Sequence, residues 1–171
     1  MVARNENESQ RTTVQKKSER EVVVTRTFDA PARLVFEAWS KPELFRKWWV
    51  PRSMGMTLRS CELDVRTGGK YRLVFGDDPA NSMAFFGKYL EVVPNKRIVW
   101  TNEESGDVGP VTTVTFEERD GKTLLVVSEL YPTKEALDAA GTGAQEAMKE
   151  TFAQPDELLV ELCTLAVLHK I

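Results

Sequence analysis

Histidine and cysteine, which most often serve in nucleophilic sites and as transition-metal ligands, are scarce in this sequence. His169 is the only histidine, and its place near the chain end argues against the rigidly held imidazole of a Ser-His or Cys-His site. Cys61 and Cys163 match no zinc-binding spacing. We therefore predict no metal and no cofactor, and we expect both cysteines to be reduced thiols of a cytoplasmic protein.

One carboxyl group is the best candidate for acid–base chemistry. Glu129 interrupts the apolar stretch LLVVSEL, residues 124–130, and a carboxyl group buried there would have a raised pKa. The favoured interpretation is nevertheless a solvent-facing strand end, which would remove Glu129 from any site. Tyr89 is the other candidate acid or base.

Aromatic residues are the more prominent feature. The stretch EAWSKPELFRKWWVP, residues 37–51, contains three of the four tryptophans. Trp48 and Trp49 are adjacent, so a short helix would direct their side chains about a third of a turn apart. We interpret Trp48, with Trp39, as structural, and Trp49, with Phe45, as a contact for a ligand.

Charge and hydropathy argue against two classes of partner. The net charge is −3 and no basic run suited to binding phosphates occurs, so nucleic acid is not expected. The apolar stretch from Leu158 to Leu168 is too short for membrane insertion and contains Glu161. Residues 1–19 are polar and predicted to be a disordered tail, followed by a single domain over residues 20–171.

The elements that must position these residues follow an α+β order. Glu21–Phe28 is typical of a strand, and two short helices follow, one beginning at Pro31 and one at a capping box of Ser40 and Glu43. Six strands joined by short turns then predict an antiparallel meander. These strands cover residues 54–63, 70–76, 83–92, 97–102, 111–118 and 123–131.

A long helical segment, from about Gly143 to Leu168, completes the chain. Pro155 lies inside it, and an interior proline removes a backbone hydrogen bond, so we predict a kink or break near Gln154. Beyond this point, Leu158–Leu168 is more apolar than a one-sided surface helix requires. This stretch fits burial on the sheet or, alternatively, a homodimer contact.

Alternation along the strands selects one face that points inward. Packed tightly, its aromatic side chains would form a core, and around a gap they would form an apolar pocket for a small hydrophobic molecule. The candidate ligand contacts on this face or beside it are Phe45, Trp49, Tyr71, Leu73, Phe75, Phe85, Gly87, Tyr89, Trp100, Val114, Phe116, Met148 and Phe152.

Five stretches carry a resemblance to a known family. They are FDAPARLVFEAWSKPELFRKWWVP, DVRTGGKYRLVF, FFGKYLEVVPNKRIVWT, VTTVTFEERDGKTLLVV and GAQEAMKETFAQPDELLVEL. In this order they resemble the activator-of-Hsp90-ATPase-like branch of the START/Bet v 1-like (SRPBCC) superfamily. The resemblance implies a helix-grip fold, in which a seven-stranded antiparallel sheet curls round a long C-terminal helix and two short helices close one end.

The resemblance also implies three functional hypotheses. Relatives bind lipids, hormones or polyketides in an apolar cavity, so binding of a small hydrophobic or aromatic molecule is the first. Some relatives are cyclases, so a cyclase or dehydratase that uses Glu129 or Tyr89 is the second. The third is a chaperone-linked or self-associating interaction module. The sequence departs from the family at Ala147-Met148 and Pro155, which lie on the helix expected to line the cavity.

Overall fold

The computed structural model describes residues 12–55, 57–76, 78–104 and 109–168, without the side chains of residues 79, 141–146 and 166–168. In this part of the chain, eight strands form one sheet in the order β1-β2-β8-β7-β6-β5-β4-β3. The strands are β1 (Thr12–Lys16), β2 (Glu21–Phe28), β3 (Leu58–Leu63), β4 (Lys70–Phe75), β5 (Met83–Val93), β6 (Arg97–Thr101), β7 (Val111–Arg119) and β8 (Lys122–Leu130). All neighbouring strands are antiparallel, which confirms the predicted meander.

Strand β1 lies inside the segment that was predicted to be a disordered tail. It pairs antiparallel with β2. Thr12 is buried, and its hydroxyl accepts a hydrogen bond from the Arg26 guanidinium. The tail prediction is therefore wrong for residues 12–16, since backbone pairing to a free strand edge needs no apolar side chains. The rest of the predicted tail up to residue 11 lies outside the described residues.

The short helices after β2 are α1 (Ala32–Ser40) and α2 (Pro42–Phe45). Helix α1 begins one residue later than predicted, because Pro31 takes the N-cap position and not the first turn. The predicted capping box is wrong, because Ser40 is the last residue of α1. Lys41 takes the N-cap position of α2, and its side chain makes no capping hydrogen bond. Pro42 begins α2 instead, in the position where a missing backbone N–H costs least.

Helices α3 (Lys134–Ala153) and α4 (Pro155–Leu168) follow the sheet. The break between them falls at Gln154, as predicted. Helix α3 begins earlier than the predicted Gly143, because the Thr133 hydroxyl accepts from the Ala136 backbone N–H and caps its first turn. Short helices, a curved antiparallel sheet and a C-terminal helical segment together confirm the helix-grip fold.

Strand β8, the last strand along the chain, is apolar on both faces. The structure shows which of its residues point inward. Thr123, Leu125 and Val127 are buried, and Val127 pairs with Val114 of β7, which is also buried. These residues define the inner face, toward the helices. Glu129, two residues further along β8, therefore belongs to the same face.

Strand β3 is shorter than predicted, and β5 is irregular. A 3-10 helix (Arg52–Met54) replaces the start of the predicted strand, so β3 begins at Leu58. In β5, Tyr89 pairs with Trp100 of β6, but the register then shifts, which places a bulge at Leu90. A bulge bends a strand and increases its twist, which helps the sheet to curve toward the helices.

Candidate ligand-binding cavity

A cavity of about 320 Å³ lies between the inner face of the sheet and the helices. Helices α1, α2 and α3 and strands β3, β4, β5, β6 and β8 all contribute side chains to it. Nine predicted ligand contacts line it, and they are Phe45, Trp49, Tyr71, Leu73, Phe75, Phe85, Tyr89, Trp100 and Met148. A volume of this size is at the lower end for small-molecule sites.

Four predicted contacts lie outside the cavity lining, although all four face inward. Val114, Phe116 and Phe152 are buried in the core, where Phe116 makes an edge contact with Phe36 and Phe152 packs against Trp39. Gly87 is a close-approach position, since an added Cβ would lie 2.0 Å from the Thr101 carbonyl oxygen. Phe116 and Phe152 thus pack behind Trp39, which lines the cavity.

Several residues that line the cavity were not predicted as ligand contacts from the sequence. They are Trp39, Leu63, Ile98, Asn102, Glu104, Pro110 and Tyr131. Ile98 was on a predicted inward face, so alternation could have found it. Trp39 was interpreted as structural only, because its helical stripe shows burial but not what lies beyond the ring. Asn102 and Glu104 are in the connection after β6, where no periodicity applies.

Aromatic rings form one end of the cavity. The Phe45 and Trp49 rings stack with centroids 4.7 Å apart, and Trp39 lies 5.8 Å from Trp49 and 5.9 Å from Trp100. Trp48 is fully buried behind them and donates from Nε1 to the Ala38 carbonyl oxygen at 2.9 Å. Trp48 thus packs in the core while Trp49 reaches the cavity.

Trp49 also borders an outer groove of about 160 Å³. Trp49, Phe75 and Phe85 line both the groove and the cavity, and the groove continues over the exposed side chains of Met54 and Met83. These three rings therefore form the partition between the cavity and the apolar surface outside it.

Gln154, at the break between α3 and α4, holds the loop that carries Trp49. Its side-chain Nε2 donates to the carbonyl oxygens of Trp48 at 2.6 Å and Val50 at 2.9 Å. Its Oε1 accepts from the Arg52 backbone N–H at 2.9 Å. One side chain thus satisfies three backbone groups of the loop.

The opposite end of the cavity is polar, and Glu129 lies there. The interpretation of Glu129 as a solvent-facing strand end is wrong, because its strand phase directs the side chain into the cavity. Burial raises the pKa of the Glu129 carboxyl, a hydrogen bond from the Tyr131 hydroxyl at 3.1 Å lowers it, and nearby Glu104 raises it, so that the net pKa is above its usual value.

Two hydrogen-bond donors at the polar end, the Asn102 amide and the Tyr71 hydroxyl, already have partners within the protein. Asn102 Nδ2 donates to the Pro110 carbonyl oxygen at 2.8 Å and to Thr112 Oγ1 at 3.1 Å. The Tyr71 hydroxyl donates to the Thr101 carbonyl oxygen at 2.7 Å. These bonds fix the orientation of both side chains.

Tyr89, the other candidate acid or base, also lines the cavity, with its ring 5.7 Å from that of Tyr71. Burial raises the pKa values of both tyrosines well above their usual range. A phenol with such a raised pKa keeps its proton at neutral pH, so Tyr89 is better suited to donate a hydrogen bond than to act as a base.

The structure also bears on metal binding, membranes and thiols. Within the described residues, no three His, Cys, Asp or Glu side chains are grouped as metal ligands would be, and no helix is long and apolar enough to cross a membrane. His169 lies outside those residues. Cys61 and Cys163 are free thiols, and burial raises the pKa of Cys61 to about 11.

Comparisons with known proteins agree with this architecture. A protein from Rhodobacter sphaeroides is 22% identical with a TM-score of 0.79, covering 88% of this chain and 99% of its own. A Chromobacterium violaceum protein is 30% identical with a TM-score of 0.66, covering 81% and 96%. An AHSA1-like protein from Aeromonas hydrophila is 17% identical with a TM-score of 0.63, covering 84% and 94%. No curated protein matches.

A family model links this fold to the sequence. The model described as activator of Hsp90 ATPase homolog 1-like protein matches residues 29–159. This range includes α1, α2 and most of the sheet, and it ends in the first turns of α4. The chain therefore belongs to the family of activator of Hsp90 ATPase homolog 1-like proteins, in the SRPBCC/Bet v 1-like superfamily.

Proposed function

We propose that this protein binds a small hydrophobic or aromatic molecule in the cavity between the curved sheet and the helices. The observation that carries the proposal is the cavity of about 320 Å³, lined mostly by aromatic and aliphatic side chains. Protein interiors are otherwise packed as densely as organic crystals. An unfilled apolar volume costs stability, and binding of a ligand would explain why the protein keeps one.

The fold supports the same proposal, since hydrophobic ligands are common in this family. The apolar outer groove beside Trp49 offers such a molecule a path from the surface. Rings that border both spaces could turn about their side-chain torsions more readily than backbone could move.

Ligand binding can be tested with a variant that fills the cavity. Leu63 is a half-buried cavity residue on β3, and Leu63→Trp should occupy the volume with an indole ring. A panel of lipids and aromatic compounds should raise the melting temperature of the wild-type protein but not that of Leu63→Trp. Native mass spectrometry of the purified protein would report a retained ligand directly.

The matched control is Leu90→Trp, which adds the same ring at an exposed bulge on β5. This variant should respond to the panel as the wild-type protein does. If no compound shifts the wild-type melting temperature, or if Leu63→Trp responds equally, the proposal is wrong.

A second candidate function is acid–base catalysis on the bound molecule, of the cyclase or dehydratase type. The position of Glu129 favours it, because a carboxyl group that faces an apolar cavity, with its pKa raised by burial, is placed to exchange a proton with a bound ligand. For a ketone that binds, the protein should speed deuterium exchange at the carbon beside the carbonyl, as followed by NMR. Glu129→Gln should abolish that exchange while binding persists, and exchange that survives the substitution would contradict the role.

A further inference from the structure

We propose that the cavity selects molecules that carry a protonated amine next to an aromatic or aliphatic body. This inference rests on the proposed function, because it takes for granted that the cavity binds a ligand. It adds the chemical class of that ligand.

The charged groups of the cavity are all of one sign. Its described lining contains the carboxyl groups of Glu104 and Glu129 and no lysine, arginine or histidine. The Glu104 carboxylate is close enough to raise the pKa of Glu129. Charges interact more strongly in a partly buried, apolar space than in water, so a carboxylate, sulfate or phosphate group on a ligand would be repelled. A cation would be attracted.

The hydrogen-bonding groups at the polar end are also unbalanced. The Asn102 amide and the Tyr71 hydroxyl donate to protein oxygens, and the Tyr131 hydroxyl donates to Glu129. A carboxylate accepts several hydrogen bonds, so Glu129 and Glu104 retain acceptor capacity. A hydrogen-bond donor complements these two carboxyl groups, and an ammonium group supplies three N–H donors together with the opposite charge.

The sheet register gives the backbone distance between Glu129, at the polar end, and Trp100, in the aromatic lining. Trp100 pairs with Thr112, and Thr112 pairs with Glu129, so these three residues form one row across β6, β7 and β8. Two strand spacings separate Trp100 from Glu129, or about 10 Å. A small aromatic amine could therefore place its ring against Trp100 and its ammonium group beside Glu129. Aromatic walls also tolerate cations better than aliphatic ones do.

Three probes of one shape and different charge test the inference. They are naphthylmethylamine, naphthylmethanol and naphthoate, which at neutral pH are cationic, neutral and anionic. Titration calorimetry should show that the amine binds about tenfold more tightly than the alcohol, as expected for one charge-assisted contact. Naphthoate should bind most weakly.

Glu129→Gln keeps the shape of the side chain and removes its charge. This variant should lose most of the amine's advantage while its affinity for the alcohol changes little. Glu117→Gln is the matched control, because Glu117 is an exposed carboxylate that pairs with Arg119 on β7. This control should keep the wild-type order of affinities.

The outcomes distinguish this inference from the proposed function. If the alcohol binds as tightly as the amine, or if Glu129→Gln keeps the preference for the amine, the inference is wrong and the apolar cavity remains a ligand site. If none of the three probes binds, both this inference and hydrophobic binding are contradicted for ligands of this size.

Discussion

At the scale of single residues, Glu129 is the most informative side chain. A carboxyl group on the inner face of a sheet costs desolvation energy, which the single hydrogen bond from Tyr131 offsets only in part. Proteins commonly accept such a cost where function requires it. Glu129 therefore links the stability of the protein to the chemistry of the cavity.

The raised pKa of Glu129 predicts how stability depends on pH. The unfolded chain releases this proton near pH 4.5, whereas the folded protein holds it to a higher pH. Its contribution to stability is therefore fully present below pH 4.5 and is lost as pH rises through the folded pKa. Glu129→Gln cannot lose a proton, so urea denaturation should show that its stability relative to wild type increases as pH rises above 4.5.

The control for this pH series is Glu117→Gln, which removes an exposed carboxylate from β7. If the difference in unfolding free energy between Glu129→Gln and wild type is the same at every pH, burial does not raise the pKa of this carboxyl group.

The adjacent tryptophans predict a separation of folding from binding. Trp48 is buried and donates to the Ala38 carbonyl oxygen, so Trp48→Phe should lower the free energy of unfolding by roughly 1–3 kcal/mol. Trp49 is partly exposed at the cavity, so Trp49→Ala should weaken binding of an identified ligand more than it lowers stability. Urea denaturation and calorimetry would measure the two effects, and the reverse pattern would contradict both assignments.

At the scale of elements, the junction of α3 and α4 connects the helices to the rest of the molecule. Gln154 bonds the loop that carries Trp49. Asp156, in the first turn of α4, pairs with Arg26 of β2, whose side chain is fully buried. Because the helix breaks at Pro155, Gln154 and Asp156 point in directions that a continuous helix would not give them.

Gln154→Ala should loosen the loop around Trp49. The substitution removes three hydrogen bonds to backbone groups, and we expect a loss of roughly 1–3 kcal/mol in unfolding free energy. Hydrogen exchange measured by mass spectrometry should increase for residues 46–55 more than for the sheet. Gln15→Ala, at an exposed site on β1, is the control, and equal exchange in both variants would show that Gln154 does not hold the loop.

Asp156→Ala should destabilise the protein more strongly. It leaves the buried Arg26 guanidinium without its paired carboxylate, which costs on the order of 3 kcal/mol. The double variant Arg26→Met with Asp156→Ala should recover much of this loss, because no buried charge remains. Asp138→Ala, in an exposed ion pair with Lys16, is the control, and a double variant no more stable than Asp156→Ala would contradict the explanation.

At the scale of the whole molecule, helix α4 has apolar side chains both in the core and on the surface. Leu158 and Leu159 pack into the core, whereas Val160 and Leu165 are 68% and 47% exposed. Helix α4 thus uses one side for its own domain and leaves apolar side chains on the other. The homodimer through Leu158–Leu168 stays a prediction.

The homodimer has a direct test. If it forms through α4, Val160→Lys should shift light scattering from a dimer toward a monomer, because a charge at the centre of an apolar contact is costly. Leu90→Lys is the control, since it makes the same kind of change at an exposed apolar position on β5, outside α4. A dimer that persists in Val160→Lys would place the contact elsewhere.

Local patterns were sufficient for most of the fold, because they depend on neighbouring residues. The alternation of Glu21–Phe28 and the proline at position 155 act through the backbone around them, and both predictions were confirmed. The capping box at Ser40 failed because α1 extends through that residue. Strand β1 was missed because its pairing depends on a distant strand edge.

For the strands that alternate clearly, the sequence by itself determined which residues face inward and that this face is aromatic, because side-chain direction follows backbone periodicity. Only the tertiary structure decided how deep each residue lies. Phe116 and Phe85 both face inward, yet Phe116 lies in the core and Phe85 lines the cavity. The tertiary structure also decided the direction of the Glu129 side chain, because its strand is apolar on both faces and only its packing shows which face is inward. The distance between helices and sheet is a sum of many contacts, which no local pattern contains.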